Sequence, residues 1–111
     1  MKFVITEYKH CDLIEISGRV DSYTSPKIKD ALESLIADGH CKLVLNLQDV
    51  TYLSSSGMLT FINALKHCQQ GGKGKIILAN VPPQIYTNLE LAGFHTLFEI
   101  YGDVLTAVGK F

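Results

Sequence analysis

The sequence lacks most features that mark membrane proteins and nucleic-acid-binding proteins. Lysine and arginine number 10 against 11 aspartate and glutamate, so the chain has no basic excess for a phosphate backbone. No apolar run is longer than a strand, and Glu7 comes too early for the core of a signal peptide. We therefore expect a cytoplasmic protein that neither binds nucleic acid nor inserts directly into a membrane.

Metal and redox motifs are also missing. The three cysteines, Cys11, Cys41 and Cys68, are far apart and form no C-x-x-C pair, so they predict neither a zinc site nor a disulfide framework. The four histidines stand singly at predicted turns and helix ends, with no ligand spacing between them. We predict no metal and no cofactor, and we expect three buried or half-buried free thiols.

Sequence signatures of catalysis are absent too. There is no G-x-S-x-G elbow and no G-x-G-x-x-G fingerprint. The glycines at 71–74 follow a predicted helix and lead into a strand, the reverse of the order in a phosphate-binding loop. A Ser/His/Asp arrangement assembled in space stays open. We predict a protein that is not an enzyme and has no catalytic residues, with a small α/β nucleotide-binding protein as an alternative.

What the chain does contain is enough apolar material for one packed domain over residues 1–111, since 47% of its residues are hydrophobic. Apolar runs predict strands at 3–9, 13–17, 42–47, 76–79 and 98–101, with Gly18 ending the second. Helices are predicted between them, after Ser25–Pro26, after 54–57, after Pro82–Pro83 and after Asp103. Ser25 is predicted to cap the first of these helices.

The order of these elements predicts an α/β fold. Two strands joined by the tight turn 9–12 form an antiparallel hairpin, and the later strands alternate with helices, which is typical of parallel pairing. We expect a mixed sheet of four or five strands with about four helices packed on it.

A cluster of hydroxyls stands where a buried strand leads into a helix, at Ser54, Ser55, Ser56 and Gly57. The first N–H groups of a helix lack partners within the helix and favour an anion nearby. A phosphate on one of these serines would suit its own fold while adding about −2 charge to the surface. A purely structural explanation stays open: the serines only cap the helix, and Gly57 only permits close packing.

This segment resembles a known family. Leu45-Asn46-Leu47 together with Tyr52-Leu53-Ser54-Ser55-Ser56-Gly57-Met58 resembles the central motif of STAS domains, in particular the anti-sigma factor antagonists. Upstream, Gly18-Arg19-Val20-Asp21 resembles the Gly-Glu-Leu-Asp of that family, and the order of elements matches over nearly the whole chain. Two positions depart from the usual pattern, because Ser54 and Asn46 each stand where the family commonly has Asp.

The resemblance implies a regulatory role. It places the phosphoacceptor at Ser55, with Ser56 as the next candidate, and a partner-binding face at Asp21, Ser54, Ser55, Ser56, Gly57 and Met58. The implied partners are an anti-sigma factor with a histidine-kinase-like ATPase fold, which acts as the serine kinase, and a serine phosphatase. The chain itself is expected to be a monomer or weak dimer. A scaffold in a stress-signalling assembly, or an accessory subunit of a membrane transport complex, is the alternative.

Overall fold

Five strands and four helices alternate along the chain in the computed structural model, which describes residues 1–111. The strands are β1 (Lys2–Glu7), β2 (Asp12–Val20), β3 (Lys42–Leu53), β4 (Lys75–Ala79) and β5 (Glu99–Tyr101). The helices are α1 (Ser25–Ala37), α2 (Ser55–Gln70), α3 (Pro83–Leu91) and α4 (Val104–Val108). No helix has the length and apolar character that crossing a bilayer requires.

The strands form one sheet in the order β1-β2-β3-β4-β5. β1 and β2 pair antiparallel, and every later pair is parallel. This confirms the predicted mixed sheet, with an antiparallel hairpin followed by parallel strands. Because each parallel crossover after β2 contains a helix, the carboxyl ends of β2, β3, β4 and β5 share one edge of the sheet.

The two faces of the sheet bury cores of different size. The larger core has 21 buried residues and is covered by α1, α2 and α3, through side chains such as Ile28, Phe61 and Leu89. The smaller has 6, including Val44 of β3 and Ala107 of α4. Leu43, Val44 and Leu45 of β3 alternate between the two cores, which explains why three consecutive residues there are apolar.

We predicted that the second strand ends at Gly18, but it continues to Val20. Gly18 has a φ of +89°, and the register with β3 shifts between Gly18 and Arg19. Glycine adopts this left-handed conformation without steric cost, so the irregularity interrupts the ladder but does not terminate the strand. As a result, β2 reaches the edge of the sheet at which Asp21 stands.

β3 is twice as long as predicted, with 12 residues. We expected a loop between Leu47 and Ser54, because polar residues are frequent there. β4 pairs with β3 only as far as Asn46, and the rest of β3 pairs with β2 alone. Polar side chains such as Gln48 and Asp49 are therefore exposed on a strand and not in a loop.

The start of α1 also differs from the prediction. Ser25 is the first residue of the helix and is buried, while Thr24 occupies the capping position without a side-chain cap. The Thr24 hydroxyl donates instead to the Arg19 carbonyl, at 2.9 Å. By contrast, Asp103 caps α4 as predicted, accepting a hydrogen bond from the Thr106 backbone N–H at 2.6 Å.

The first turn of α2 approaches the sheet at Gly57. A Cβ atom placed on Gly57 would lie 2.7 Å from Leu53 Cδ1 and 2.9 Å from Val20 Cγ1, both in the core. These separations are shorter than a carbon–carbon van der Waals contact. Gly57 therefore fixes how close the start of α2 comes to the ends of β2 and β3.

We predict that Gly57→Ala destabilises the protein by about 1–3 kcal/mol, because the added methyl group overpacks this contact. Urea denaturation measures the change in the free energy of unfolding. Gly71→Ala, at the other end of the same helix, is the matched control, since a Cβ there meets its nearest atom at 3.7 Å. Equal stability of the two variants would contradict the packing role of Gly57.

Candidate regulatory site

The candidate site lies where β2 and β3 end side by side. Val20 and Leu53 are register partners, and the Ser54 backbone N–H donates to the Val20 carbonyl at 2.9 Å. Asp21 and Ser54 are therefore the first residues beyond two neighbouring parallel strands. The sheet brings together two motifs that are separated by more than thirty residues in the sequence.

Ser54 is the N-cap of α2. Its backbone is extended, and its Oγ accepts a hydrogen bond from the Gly57 backbone N–H at 3.1 Å. The Ser54 and Ser56 hydroxyls are also hydrogen-bonded to each other, with their oxygen atoms 2.8 Å apart. Both side chains are half-buried, so two of the three clustered hydroxyls are engaged in holding the helix start.

Ser55 differs from its two neighbours. It is the first residue of α2, its side chain is exposed, and no hydrogen bond within the protein engages its hydroxyl. Helix α2 is 16 residues long, so its N-terminus carries the positive potential of a helix end, although Ser54 already satisfies the Gly57 N–H. Ser55 is thus the serine whose hydroxyl is free to react, at a position where an added anion is stabilised.

Asp21 is held in a tight turn between β2 and α1. Its Oδ1 accepts hydrogen bonds from the backbone N–H groups of Tyr23 and Thr24, at 3.0 and 3.1 Å. Partial burial acts to raise the pKa of Asp21, but these hydrogen bonds outweigh it and leave the pKa below its ordinary value. Asp21 is therefore a fixed carboxylate beside the serine cluster.

Sequence reasoning missed one charged residue of the site, Arg19. Its guanidinium lies 4.3 Å from the centre of the Tyr52 ring, and its Nε is 3.5 Å from Asp21 Oδ2. The signal was present in the sequence, because Arg19 stands at the Glu position of the Gly-Glu-Leu-Asp pattern. The site therefore presents a cation next to the carboxylate of Asp21.

Gly57 and Met58 do not lie on the exposed face. Gly57 is buried and Met58 is only 6% exposed, packed in the larger core. This corrects the expectation that both residues contact a partner directly, because a buried side chain supports a surface from below. The exposed apolar side chains nearby are instead Tyr23, Tyr52 and Leu59.

The site contains a shallow concavity of about 480 Å³. It is lined by Arg19, Asp21, Ser22, Tyr23, Tyr52, Ser54, Ser55 and Ser56. No histidine, lysine or cysteine is among the lining residues. The arrangement can present a hydroxyl, a carboxylate and a guanidinium to another macromolecule. Metal-type ligands gather elsewhere, at Glu7, Asp12 and His40.

Asn46, which replaces the more common Asp, has a structural explanation. It is 8% exposed, and its Nδ2 donates to Glu15 Oε2 at 3.1 Å. Its Oδ1 accepts from the Gln48 backbone N–H and from Asn80 Nδ2. A carboxylate at position 46 would face the Glu15 carboxylate and could not donate to it. An amide at position 46 is therefore better than a carboxylate for the contact with Glu15 of β2.

Comparison with known proteins agrees with the fold. The family model described as STAS domain matches residues 2–107. The anti-sigma-B factor antagonist of Listeria monocytogenes is 30% identical over 91 residues, covering 82% of this chain and 78% of that protein. This is a single α/β domain with an exposed β–α junction, and the chain belongs to the STAS domain family.

Solved structures share the whole fold. The crystal structure of an anti-sigma factor antagonist from Mycobacterium paratuberculosis superposes with a TM-score of 0.88 at 20% identity, covering 98% of this chain and 92% of that one. The phosphorylated form of the Bacillus cell fate determinant SpoIIAA gives a TM-score of 0.77 at 16% identity, covering 98% of both chains. At these identities the likeness concerns the fold.

We predict that the adjacent serines separate by their effect on stability. Ser54→Ala removes the N-cap and should lower the free energy of unfolding by about 1 kcal/mol. Ser55→Ala removes an exposed, unbonded hydroxyl and should change it by less than about 0.5 kcal/mol. Thermal and urea denaturation measure both variants.

Ser54→Asp is the control, because aspartate caps a helix as well as serine does and also favours the positive helix end. It should keep the stability of the original chain. Equal destabilisation by Ser54→Ala and Ser55→Ala would show that Ser55 is engaged in the fold.

Proposed function

We propose that this chain is an anti-sigma factor antagonist whose binding to an anti-sigma factor is switched by phosphorylation of Ser55. The observation that carries the proposal is the free, exposed hydroxyl of Ser55 at the N-terminus of α2, next to a serine that already caps the helix. The relative from Listeria monocytogenes is an anti-sigma-B factor antagonist, which supports the same class of regulator.

In the proposed reaction, the partner kinase supplies the ATP and the catalytic groups. The Ser55 Oγ attacks the γ-phosphorus of ATP bound to a histidine-kinase-like anti-sigma factor, the bond to ADP breaks, and the serine proton passes to a base of the kinase. The chain is then a substrate and a binding partner, not an enzyme, and needs no cofactor of its own. A serine phosphatase hydrolyses the phosphoserine and resets the switch.

The geometry of α2 explains why the fold tolerates the modified residue. A dianion on Ser55 lies beside the unpaired N–H groups of the helix, which stabilise a negative charge by about 0.3–1 kcal/mol at an exposed site. Arg19 lines the same concavity and supplies a full positive charge. The phosphate is therefore compatible with the fold, and its main effect is on the binding of a partner at this concavity.

The same charge is large enough to control docking. A partner that covers the concavity has to remove the phosphate from water, which costs several kcal/mol unless the charge is paired in the complex. A thousandfold change in affinity needs only about 4 kcal/mol. One phosphate at the centre of the contact is therefore sufficient to release the partner.

The proposed docking face combines polar and apolar groups. Asp21, Ser54, Ser55 and Ser56 provide the polar part. Tyr23 is 90% exposed and Leu59 is 50% exposed, so large apolar side chains flank the serines. Aromatic side chains at the centre of a contact contribute much of its binding free energy. A regulator of this class would act in the cytoplasm, where transcription takes place.

We predict that an anti-sigma kinase from the same genome phosphorylates the chain at Ser55 when ATP is supplied. Mass spectrometry of the digested product should find the phosphate on Ser55, and Ser55→Ala should remove the label. Ser56→Ala is the matched control and should retain it, because the Ser56 hydroxyl is half-buried and bonded to Ser54. Undiminished labelling of Ser55→Ala would refute the assignment.

A second prediction concerns affinity. Phosphoserine incorporated at position 55 during translation should weaken binding to the anti-sigma factor by at least about a hundredfold, which corresponds to about 2.7 kcal/mol. Isothermal titration calorimetry measures the loss. Phosphoserine at Ser34, an exposed residue of α1, is the control and should leave the affinity unchanged.

The alternatives give different results in the same experiments. Unchanged affinity with phosphoserine at position 55 would argue against the switch. A stable large complex in size-exclusion chromatography, without kinase binding, would indicate the scaffold or transport-subunit role. Nucleotide turnover by the purified chain alone would indicate an enzyme.

A further inference from the structure

The opposite end of the sheet carries a cluster of ligand-type side chains that the proposed function does not use. Glu7 ends β1 and Asp12 begins β2, and the two are register partners across the hairpin. His40 lies in the connection between α1 and β3, directly before the parallel partner of β2. One side-chain ligand atom from each residue lies within 4.8 Å of the other two.

Asp12 is the centre of this cluster. It is only 3% exposed, and its Oδ2 lies 2.7 Å from Nδ1 of His40. A buried carboxylate is costly unless a positive charge or a metal ion compensates it. His40 compensates Asp12 when its Nδ1 is protonated, and a cation bound to the same two atoms would take the place of that proton. Glu7 is exposed and its side chain is free to turn towards the pair.

We infer that Glu7, Asp12 and His40 form a binding site for a divalent first-row transition-metal ion, with Zn²⁺ as the representative. The two carboxylates balance the charge of the ion, and the neutral imidazole is a ligand that such ions accept readily. Binding to His40 Nδ1 releases its proton to solvent. The inference is independent of the proposed function, because it concerns the other end of the sheet.

The donor set selects the class of metal. An imidazole nitrogen favours zinc, copper, iron or nickel, whereas Mg²⁺ and Ca²⁺ prefer oxygen ligands alone. Three protein ligands leave a fourth position of a tetrahedral ion for water. Asp12 and His40 line a concavity of about 500 Å³, which gives the ion and its water access from solvent.

Only small movements are needed to form the site. With metal–ligand distances near 2.0–2.2 Å, ligand atoms around a tetrahedral ion stand about 3.4 Å apart. Asp12 and His40 are slightly closer than this and would separate, while the long side chain of Glu7 would approach.

Other groups around the concavity affect the test. Lys9, Lys42 and Lys73 line it, but all three are exposed, and their flexible side chains can keep the ammonium groups in solvent. The cysteines Cys11, Cys41 and Cys68 line it as well and are rival zinc ligands. The experiment therefore has to distinguish thiolate ligation from ligation by nitrogen and oxygen.

Calorimetric titration of the full chain with Zn²⁺ should give one ion per chain, and saturating Zn²⁺ should raise the melting temperature. Glu7→Gln and His40→Ala should each weaken binding at least about tenfold and reduce the thermal shift at a given Zn²⁺ concentration. Glu90→Gln and His67→Ala, both exposed and away from the cluster, are the matched controls and should bind as the original chain does.

Absorption of the Co²⁺-loaded chain identifies the ligands. Visible d–d bands without thiolate-to-cobalt charge transfer in the near ultraviolet are expected. Intense charge transfer would assign the metal to the cysteines and overturn the inference. So would a failure to bind Zn²⁺, or unchanged affinity in Glu7→Gln. Since Glu7 is exposed, that variant remains interpretable even if His40→Ala fails to fold.

Discussion

The parallel pairing of β2 and β3 is the constraint on which both polar ends of the molecule depend. At the carboxyl end, the pairing of Val20 with Leu53 sets Asp21 beside Ser54. At the amino end, Asp12 pairs with Leu43, which brings the connection before β3, with His40, to the hairpin. β2 has nine residues, so the two ends are about 26 Å apart. The Gly18 irregularity is what allows one strand to reach both.

Much of the fold was predictable because local patterns and tertiary packing agree in this chain. Buried strands are largely apolar, helices show regular apolar spacing, and Asp103 caps its helix as predicted. The second half of β3 was missed because its polar composition is typical of a loop, and only pairing with β2 makes it a strand. The contacts of Arg19 with Tyr52 and of His40 with Asp12 were not predictable from the sequence, since the sheet brings both pairs together.

Two positions at the site shift the local charge in the same direction. Relative to the pattern that the family commonly shows, Ser54 replaces an aspartate and Arg19 replaces a glutamate. Arg19 is anchored by Tyr52 and Asp21. Together they make the surroundings of Ser55 less acidic. Asn46, the other departure from the pattern, lies well before Ser54 on β3 and has a local reason in its hydrogen bond to Glu15.

The different structural roles of Ser54 and Ser55 have an evolutionary consequence. Ser54 caps the helix, whereas the Ser55 hydroxyl makes no hydrogen bond within the protein. Substitutions at position 55 therefore leave the fold intact and are not removed by the quality control that degrades misfolded chains. Under the proposed function, such a variant would accumulate to normal abundance, would not respond to the kinase and would remain bound to its target.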